Sequence, residues 1–353
     1  MIEKKRNYNY DLVRFIAVLL IVLCHALETV YFGKNNISIQ SKLFYIAFHT
    51  ISRLGVPLFL FLTGALLLNK KFNDEEDIKH FYKHNMLNLI IVCEIWYIIY
   101  YLLDIIVFKK SYHFKDFIPI LFFLKQYPLS HAWYIPMIIG VYATIPFVGI
   151  IIQKYPKIIK SIMFANIIYV FVIPMVNKIL MAFEIKYSIP MDFSMPFAGG
   201  VYGIYIMLGY FLTKTFNEQK YKNKCTNVIL IITMLISFII TVLIRNKLNC
   251  DSWYNMFTIL LCSSCLFILL LKVKLILKLN KIMEKLSIYS FGVYLTHIEI
   301  ISLMNKYGLK DVLNCKMPIK CIIYFIITIV ISYIITTLLS KNKYTRKYLL
   351  FIK

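Results

Sequence analysis

Long apolar runs are the feature that most constrains what this chain of 353 residues can fold into. About 20 consecutive apolar residues are enough for an α-helix to cross the hydrocarbon core of a bilayer. Because the bilayer core holds no water, each backbone N–H and C=O group of such a segment must be bonded within the helix. The apolar runs therefore predict an all-α fold, a polytopic membrane helix bundle of about ten transmembrane helices.

The predicted spans are separated by short polar connections without a low-complexity linker. They cover residues 12–32, 43–69, 86–108, 133–152, 158–182, 196–213, 226–244, 254–271, 288–306 and 318–340. We expect a single integral-membrane domain over residues 1–353, with no fused soluble domain. Because no small-residue cleavage site follows the first span, we expect that span to be retained rather than removed as a signal peptide.

The basic residues set the expected orientation. The chain has 40 Lys and Arg residues against 17 Asp and Glu residues, a formal net charge of +23. These cations lie in short clusters between the apolar runs, which is typical of loops that orient membrane helices and argues against binding to nucleic acid. With a cytoplasmic N-terminus, the inside segments hold 24 Lys and Arg residues and the outside segments 14. This bias predicts that both termini are cytoplasmic.

The first span is unusual because it carries Asp11, Arg14, His25 and Glu28. An ionisable side chain at the bilayer centre costs about 2.5 to 3.5 kcal/mol, so such residues usually face a bundle interior or a watery cavity. Arg14 and His25 lie on one face, about 20° from three full turns and about 16 Å apart in depth. They are candidates to line a slot from the cytoplasmic side into the outer half of the membrane. The alternative is that Arg14 snorkels to the headgroups and His25 makes one interhelical hydrogen bond.

Other polar and aromatic residues fall in the outer halves of later spans. In the second span, Arg53 needs an anionic or carbonyl partner, for which Glu28 and a substrate oxygen are both candidates. The external edges carry His131, Trp133 and Trp253, whose rings suit stacking on a sugar but are also typical of an interfacial aromatic belt. Tyr294 and His297 share one face of the ninth span. There the alternative is a core histidine satisfied by its neighbours.

Motifs in five spans resemble those of the integral-membrane acyltransferase-3 family, and within it the surface-polysaccharide O-acyltransferases. The most specific is an arginine, ten residues and a histidine, met by Arg14 and His25. The other matching positions are Arg53, Pro57, Phe59, Thr63, Gly64, Trp133, Tyr142, Pro146, Gly209, Tyr294 and His297. Thr63 stands where serine is usual, and the shared hydroxyl makes this a mild departure. The resemblance spans nearly the whole chain.

The resemblance implies an acyl-CoA dependent O-acetyltransferase of the plasma membrane. It would move an acyl group, usually acetyl, from cytoplasmic acyl-CoA to a hydroxyl of a cell-surface polysaccharide or its lipid-linked precursor. Acetyl-CoA is then a co-substrate, and neither a bound cofactor nor a metal is expected. In this reading Arg14 binds the donor, His25 is the general base, Arg53 stabilises the oxyanion and Glu28 orients the imidazole. A relay through acetyl-histidine stays open.

The remaining site residues are expected at the acceptor. His131, Trp133 and Trp253 are predicted to bind the glycan, and Tyr294 and His297 to line the site. Two other classes of protein stay open: an exporter of polysaccharide or lipid, and a sensor or partner subunit with a degenerate site. No internal repeat is apparent and the polar residues cluster in the first two spans rather than in matched halves, which disfavours a transporter.

Overall fold

The structure is a computed structural model that describes residues 6–34, 37–111, 113–190, 200–216 and 224–352. Within these ranges the regular structure is helical and contains no β-strand. The predicted all-α class is therefore confirmed for this part of the chain. Its helices are α1 (Tyr8–Tyr31), α2 (Ile39–Ser52), α3 (Gly55–Leu67), α4 (Glu75–Phe81), α5 (Leu87–Ile106), α6 (Phe114–Leu121), α7 (Tyr134–Lys154), α8 (Pro156–Ile167), α9 (Ile173–Ala182), α10 (Gly200–Phe216), α11 (Lys224–Leu248), α12 (Phe257–Leu271), α13 (Leu277–Ile288), α14 (Ser290–Lys306), α15 (Leu309–Val312), α16 (Met317–Ser340) and α17 (Lys343–Tyr348).

The chain divides into two compact units, and the division falls inside α1 and α7 and before the last residue of α13. Unit 1 takes the described residues within Met1–Cys24, Lys34–Lys71 and Ile145–Ser287. Unit 2 takes those within His25–Gly33, Phe72–Thr144 and Ile288–Lys353.

Seven helical stretches of the described chain are long and apolar enough to cross a membrane, or eight if α13 and α14, bent by 56°, form one span. Three of the seven, Ile39–Leu67, Glu75–Ile106 and Pro156–Ala182, each join two of the helices named above. The protein is thus a multi-pass membrane protein. Each of the ten predicted spans overlaps a helix or a helix pair. The two counts differ because α12 has 15 residues, fewer than a full crossing needs, and because α10, with 17, begins at the edge of a described range. The total of ten and the cytoplasmic termini stay predictions.

The second predicted span is broken at Arg53, between α2 and α3. Proline at position 57 has no N–H to bond the Arg53 carbonyl, and its ring clashes with the carbonyl four residues earlier. The regular ladder resumes at once, where Leu58 N–H donates to the Leu54 carbonyl at 3.1 Å. The Pro57 of the family motif therefore explains why the helix is interrupted at the arginine.

In unit 1, α3 packs closely against α10. A Cβ atom on Gly64 would overlap the Ile206 carbonyl group, and one on Gly209 would overlap the carbonyl of Phe61. Small residues let two helix backbones approach in this way, which is a common form of packing between membrane helices. The close approach gives a packing reason for both glycines of the family motifs.

In unit 2, α14 is held by two neighbours. It packs against α16, where a Cβ atom on Gly292 would meet the Thr336 side chain at 2.5 Å. On α5, the Tyr100 hydroxyl donates to the Leu295 carbonyl at 2.6 Å. This buried hydrogen bond fixes the height of α14 beside α5 and so positions the histidine two residues after Leu295.

Candidate active site

In unit 2, His25 and Glu28 form a close pair on the last turns of α1. His25 Nδ1 lies 2.8 Å from Glu28 Oε2 and 3.3 Å from the Ser130 hydroxyl. A carboxylate only accepts hydrogen bonds, so Nδ1 carries the proton and the lone pair of the neutral ring is on Nε2. The side chains of His25 and Glu28 are 11% and 27% exposed, and Ser130 is exposed. The pair therefore lies at the accessible edge of unit 2.

Two further imidazoles adjoin His25, and we call the three rings with Glu28 and Ser130 the histidine cluster. The ring centroid of His297 lies 5.3 Å from that of His25 and 5.2 Å from that of His131. His25 and His131 are 6.5 Å apart. Both partner rings are buried, with 1% of His131 and none of His297 exposed. Three elements distant in sequence thus meet at one point.

The buried rings of this cluster are held by groups that fix their tautomers. His297 Nδ1 lies 2.5 Å from the Tyr294 carbonyl oxygen, so Nδ1 donates and Nε2 keeps the lone pair. His131 Nε2 lies 3.4 Å from the Tyr100 hydroxyl, whose proton is already donated to Leu295. His131 Nε2 is therefore the donor, and its lone pair is on Nδ1.

His131 lies in the turn that precedes α7, outside the predicted span. Burial lowers the pKa of His131 well below its usual range, and the neighbouring His297 and His25 lower it further. The Tyr294 hydroxyl donates to the His131 carbonyl at 2.8 Å and holds this turn against α14. The lowered pKa keeps the imidazole of His131 neutral near pH 7, and its contact with Tyr100 then places the single ring proton on Nε2.

Unit 1 contains a second cluster, which we call the arginine cluster. Arg53 Nη2 lies 2.8 Å from one oxygen of Asp251, and Arg245 Nη2 lies 3.1 Å from the other. His49 Nδ1 is 3.5 Å from the same carboxylate. Both arginines are buried, at 7% and 3% exposure, whereas the Asp251 side chain is 51% exposed. One carboxylate at the surface of unit 1 therefore holds two buried cations.

Aromatic rings flank the Arg53 guanidinium. Its Cζ atom lies 5.4 Å from the centroid of Trp253 and 5.8 Å from that of Tyr254, distances at which a cation is attracted to a ring face. Trp253 is 45% exposed, whereas Tyr254 is buried.

Arg14 lies in unit 1 beside an acidic residue of its own helix. Its Nη1 atom is 3.7 Å from Asp11, and its side chain is 31% exposed. Arg6 binds Asp11 with two hydrogen bonds of 2.7 and 2.9 Å, and this contact raises the pKa of Arg6. The Ser287 hydroxyl donates to the same carboxylate at 2.5 Å. Asp11 thus anchors the start of α1.

The structure groups the residues singled out from sequence in two sets. Unit 2 brings together His25, Glu28, His131, Tyr294 and His297, whereas unit 1 holds Arg14, Arg53 and Trp253. Trp133 stands in unit 2 just before α7, half-buried, with its ring 6.0 Å from that of Tyr134.

Sequence reasoning missed several partners of these residues. Asp251, Arg245, Ser130 and Tyr100 were assigned no role, although each bonds a predicted site residue. The acid Asp251, six residues after the arginine that ends an apolar run, was a readable signal of an ion pair. Tyr100 lies in a run of tyrosines and gave no comparable signal.

The chain was compared with known proteins. The model of the acyltransferase-3 family, described as an acyltransferase domain, matches residues 7–337 and so extends over both units. Comparisons with curated proteins and with solved structures each gave no match. The family match covers nearly the whole chain, as the motifs around Arg14, His25 and Arg53 led us to expect. The protein therefore belongs to the acyltransferase-3 family and is a membrane acyltransferase.

Proposed function

We propose that the protein is an acyl-CoA dependent O-acetyltransferase of the plasma membrane. It moves an acetyl group from cytoplasmic acetyl-CoA to a hydroxyl of a cell-surface polysaccharide or of its lipid-linked precursor. Acyl transfer follows from the family, and the observation that supports this chemistry is the 2.8 Å contact between His25 and Glu28. A base oriented by a carboxylate at an accessible edge is what removal of a hydroxyl proton requires.

In the proposed reaction, His25 Nε2 takes the proton of the acceptor hydroxyl while the hydroxyl oxygen attacks the thioester carbonyl carbon. A carbon–oxygen bond forms, and the carbonyl oxygen becomes negatively charged. When the tetrahedral intermediate collapses, the carbon–sulfur bond breaks and the leaving thiolate takes the proton from the imidazolium. The products are an O-acetyl ester and coenzyme A. Glu28 accepts the Nδ1–H bond throughout and stabilises the imidazolium.

The two arginines keep their predicted roles in this proposal. Arg14 binds the donor phosphates or carbonyl, and its partly exposed guanidinium supports this assignment. Arg53 stabilises the oxyanion, and its burial supports a strong electrostatic effect because a low local dielectric strengthens charge interactions.

We also propose which residues contact the acceptor. His131, Trp133 and Trp253 bind the glycan, and Tyr294 and His297 line the site. The partly exposed ring of Trp253 suits stacking on a sugar. The buried imidazoles of His131 and His297 adjoin the proposed base, within 6.5 and 5.3 Å of its ring centroid.

The acetyl-histidine relay is a variant of this mechanism that a rapid-quench experiment separates from direct attack. In the relay, His25 Nε2 attacks the thioester carbonyl carbon, the carbon–sulfur bond breaks and coenzyme A leaves as the thiolate. The acceptor hydroxyl then attacks the acetyl carbon, the carbon–nitrogen bond breaks to restore the neutral imidazole, and the thiolate takes the hydroxyl proton. Radiolabelled acetyl-CoA without acceptor would leave one label per wild-type protein and none on His25→Ala. Direct attack leaves the wild-type protein unlabelled.

The proposed function is tested in inside-out vesicles from the cells that make the protein. Radiolabelled acetyl-CoA is added outside, and we expect alkali-labile label on the glycan with wild-type protein and none with His25→Ala. Glycan that crosses the membrane without acquiring label would overturn the proposal and favour the exporter.

A further inference from the structure

Two buried nitrogens of the histidine cluster have no hydrogen-bond partner among the described residues. They are Nδ1 of His131 and Nε2 of His297. A buried polar atom without a partner is destabilising, so native proteins keep few of them. Their presence on two rings with centroids 5.2 Å apart points to an occupant that supplies the missing bonds.

The tautomers determine what kind of occupant fits. His297 uses its Nδ1–H on the Tyr294 carbonyl, and His131 uses its Nε2–H on the Tyr100 hydroxyl. The two remaining nitrogens therefore carry lone pairs and only accept hydrogen bonds. An occupant that is itself only an acceptor, such as a carbonyl oxygen or a carboxylate, gains nothing here. The site calls for hydrogen-bond donors.

A metal ion is the other species that lone pairs of imidazole attract. The 5.2 Å between the ring centroids of His131 and His297 would suit two ligands of one ion, but zinc sites use three or four protein ligands, and His25 cannot be the third. Two imidazoles on one tetrahedral zinc ion place their ring centroids about 5 Å apart. The 6.5 Å between His25 and His131 is too long for all three rings to share one ion. Hydroxyl groups do not require the nitrogens to meet at one point, because a separate hydroxyl can donate to each nitrogen.

Charge narrows the occupant further. The carboxylate of Glu28 lies at the edge of the cluster, and the buried ring of His131 is neutral. The buried phenol rings of Tyr100 and Tyr294 pack against the ring of His131. A negatively charged group on the acceptor would be repelled by the carboxylate of Glu28, and the cluster itself contains no lysine or arginine to pair with it. The cluster therefore favours a neutral group rich in hydroxyls.

Resting on the proposed acyl transfer, we propose that His131 and His297 select an acceptor sugar that is neutral and has neighbouring free hydroxyls. His131 Nδ1 and His297 Nε2 each accept a hydrogen bond from a hydroxyl beside the one that His25 deprotonates. These two residues bind and position the acceptor, whereas the donor acyl-CoA makes no use of their lone pairs.

Amide substitutions can test each nitrogen separately. Glutamine places its amide near the position of Nε2, and asparagine places its amide near Nδ1. His297→Gln therefore keeps a hydrogen-bond acceptor at the position of Nε2, and His297→Asn removes it. At His131 the unpartnered nitrogen is Nδ1, so His131→Asn keeps the acceptor and His131→Gln removes it. Full-length protein in nanodiscs is assayed with radiolabelled acetyl-CoA and with glycan extracted from the cells that make the protein.

We expect the acceptor KM to rise with asparagine at position 297 and with glutamine at position 131, and to change little with the opposite amide at each position. His297→Asn and His131→Gln raise it about tenfold, as the loss of one hydrogen bond does. His297→Gln and His131→Asn stay within about threefold of wild type, and all four variants keep the donor KM. Periodate, which cleaves sugars between neighbouring hydroxyls, should abolish acceptor activity of the glycan.

Three results would overturn the inference. The first is an acceptor KM that is equal for the two variants at each histidine or that changes in the reverse order. A purely structural role would favour His297→Asn, which keeps the bond to Tyr294, and His131→Gln, which keeps the bond to Tyr100. The second is an unchanged acceptor activity after periodate. The third is a stoichiometric metal that is lost in His297→Gln. Thermal unfolding identifies a variant that does not fold. If a variant at one histidine does not fold, the acceptor KM values of the two variants at the other histidine test the inference. Wild-type protein that transfers no acetyl group would instead refute the proposed function.

Discussion

The histidine cluster of unit 2 and the arginine cluster of unit 1 use buried polar groups in opposite ways. In the histidine cluster, the ring nitrogens of His131 and His297 keep lone pairs that no described residue uses. In the arginine cluster, Arg245 bonds the Ile46 carbonyl, the Thr50 hydroxyl and the carboxylate of Asp251. The hydrogen bonds of Arg245 thus hold α2, α11 and the following loop together, whereas we propose that the lone pairs of the histidine cluster bind a substrate.

The comparison separates the proposed reactive site from the ion pairs that stabilise the bundle. Cations inside an apolar bundle are costly unless they are paired, and Asp251 provides that pairing for two of them. Burying a neutral imidazole costs less desolvation free energy than burying a charged group, so a site built from imidazoles tolerates unused lone pairs. We therefore expect substitutions in unit 2 to change turnover and substitutions in unit 1 to change stability as well.

His25→Ala is the strongest test of this comparison. Removal of the proposed base should lower turnover by about 10³-fold, whereas folding should stay near normal because the side chain lines an accessible edge. Activity is measured as label transferred to glycan, and folding by thermal unfolding. His113→Ala, at an exposed histidine, is the matched control. Near-normal transfer by His25→Ala would remove His25 from the mechanism.

Arg53→Ala asks whether the arginine cluster also takes part in chemistry. If Arg53 stabilises the oxyanion, turnover should fall by about 10²-fold with little change in the donor KM, since the negative charge arises only in the transition state. Steady-state kinetics in nanodiscs measure both. A loss of stability with unchanged turnover per folded molecule would make Arg53 structural.

Asp251→Asn should separate stability from turnover. It leaves two buried guanidinium groups without their shared carboxylate and should lower the free energy of unfolding by about 2 kcal/mol. Thermal unfolding in detergent measures the change, with Asp116→Asn at an exposed site as control. Unchanged stability would show that Asp251 does not hold the arginine cluster together.

Glu28→Gln is the counterpart in the histidine cluster. The amide oxygen can still accept the Nδ1–H bond of His25 but no longer stabilises the imidazolium by charge, so turnover should fall about tenfold with unchanged stability. The control is Glu76→Gln, at an exposed residue of α4 that pairs with Lys79. A stability loss as large as that of Asp251→Asn would erase the contrast between the clusters.

Arg14→Lys should give the smallest effect, because it lies outside both clusters. Lysine keeps the charge but loses the planar fork of donors, so the KM for acetyl-CoA should rise about threefold to fivefold at constant acceptor KM. Initial rates over a range of donor concentrations measure this. A donor KM equal to that of wild type would count against a donor-binding role.

The membrane class and the family were readable from the sequence because both depend on local patterns. Apolar runs of helical length predict membrane helices without reference to any other part of the chain. The all-helical class and the family are confirmed, and Pro57 and Gly64 of the motifs have local reasons in a helix break and a close helix contact. The structure counts fewer spans than the predicted ten because α12 has only 15 residues and α10 begins at the edge of a described range.

The partners of the polar residues were decided by the tertiary structure. His25 and Glu28 are one turn apart, so their pairing could be proposed from helical periodicity alone. The meeting of His131 with His297, and of Arg53 with Asp251, joins residues more than 160 positions apart through the packing of separate helices. Periodicity places a side chain on a face of its own helix, but which partner shares that face depends on how the helices pack. The buried lone pairs follow from this packing, because backbone carbonyls and a tyrosine of other turns decide which nitrogen of each ring holds the proton.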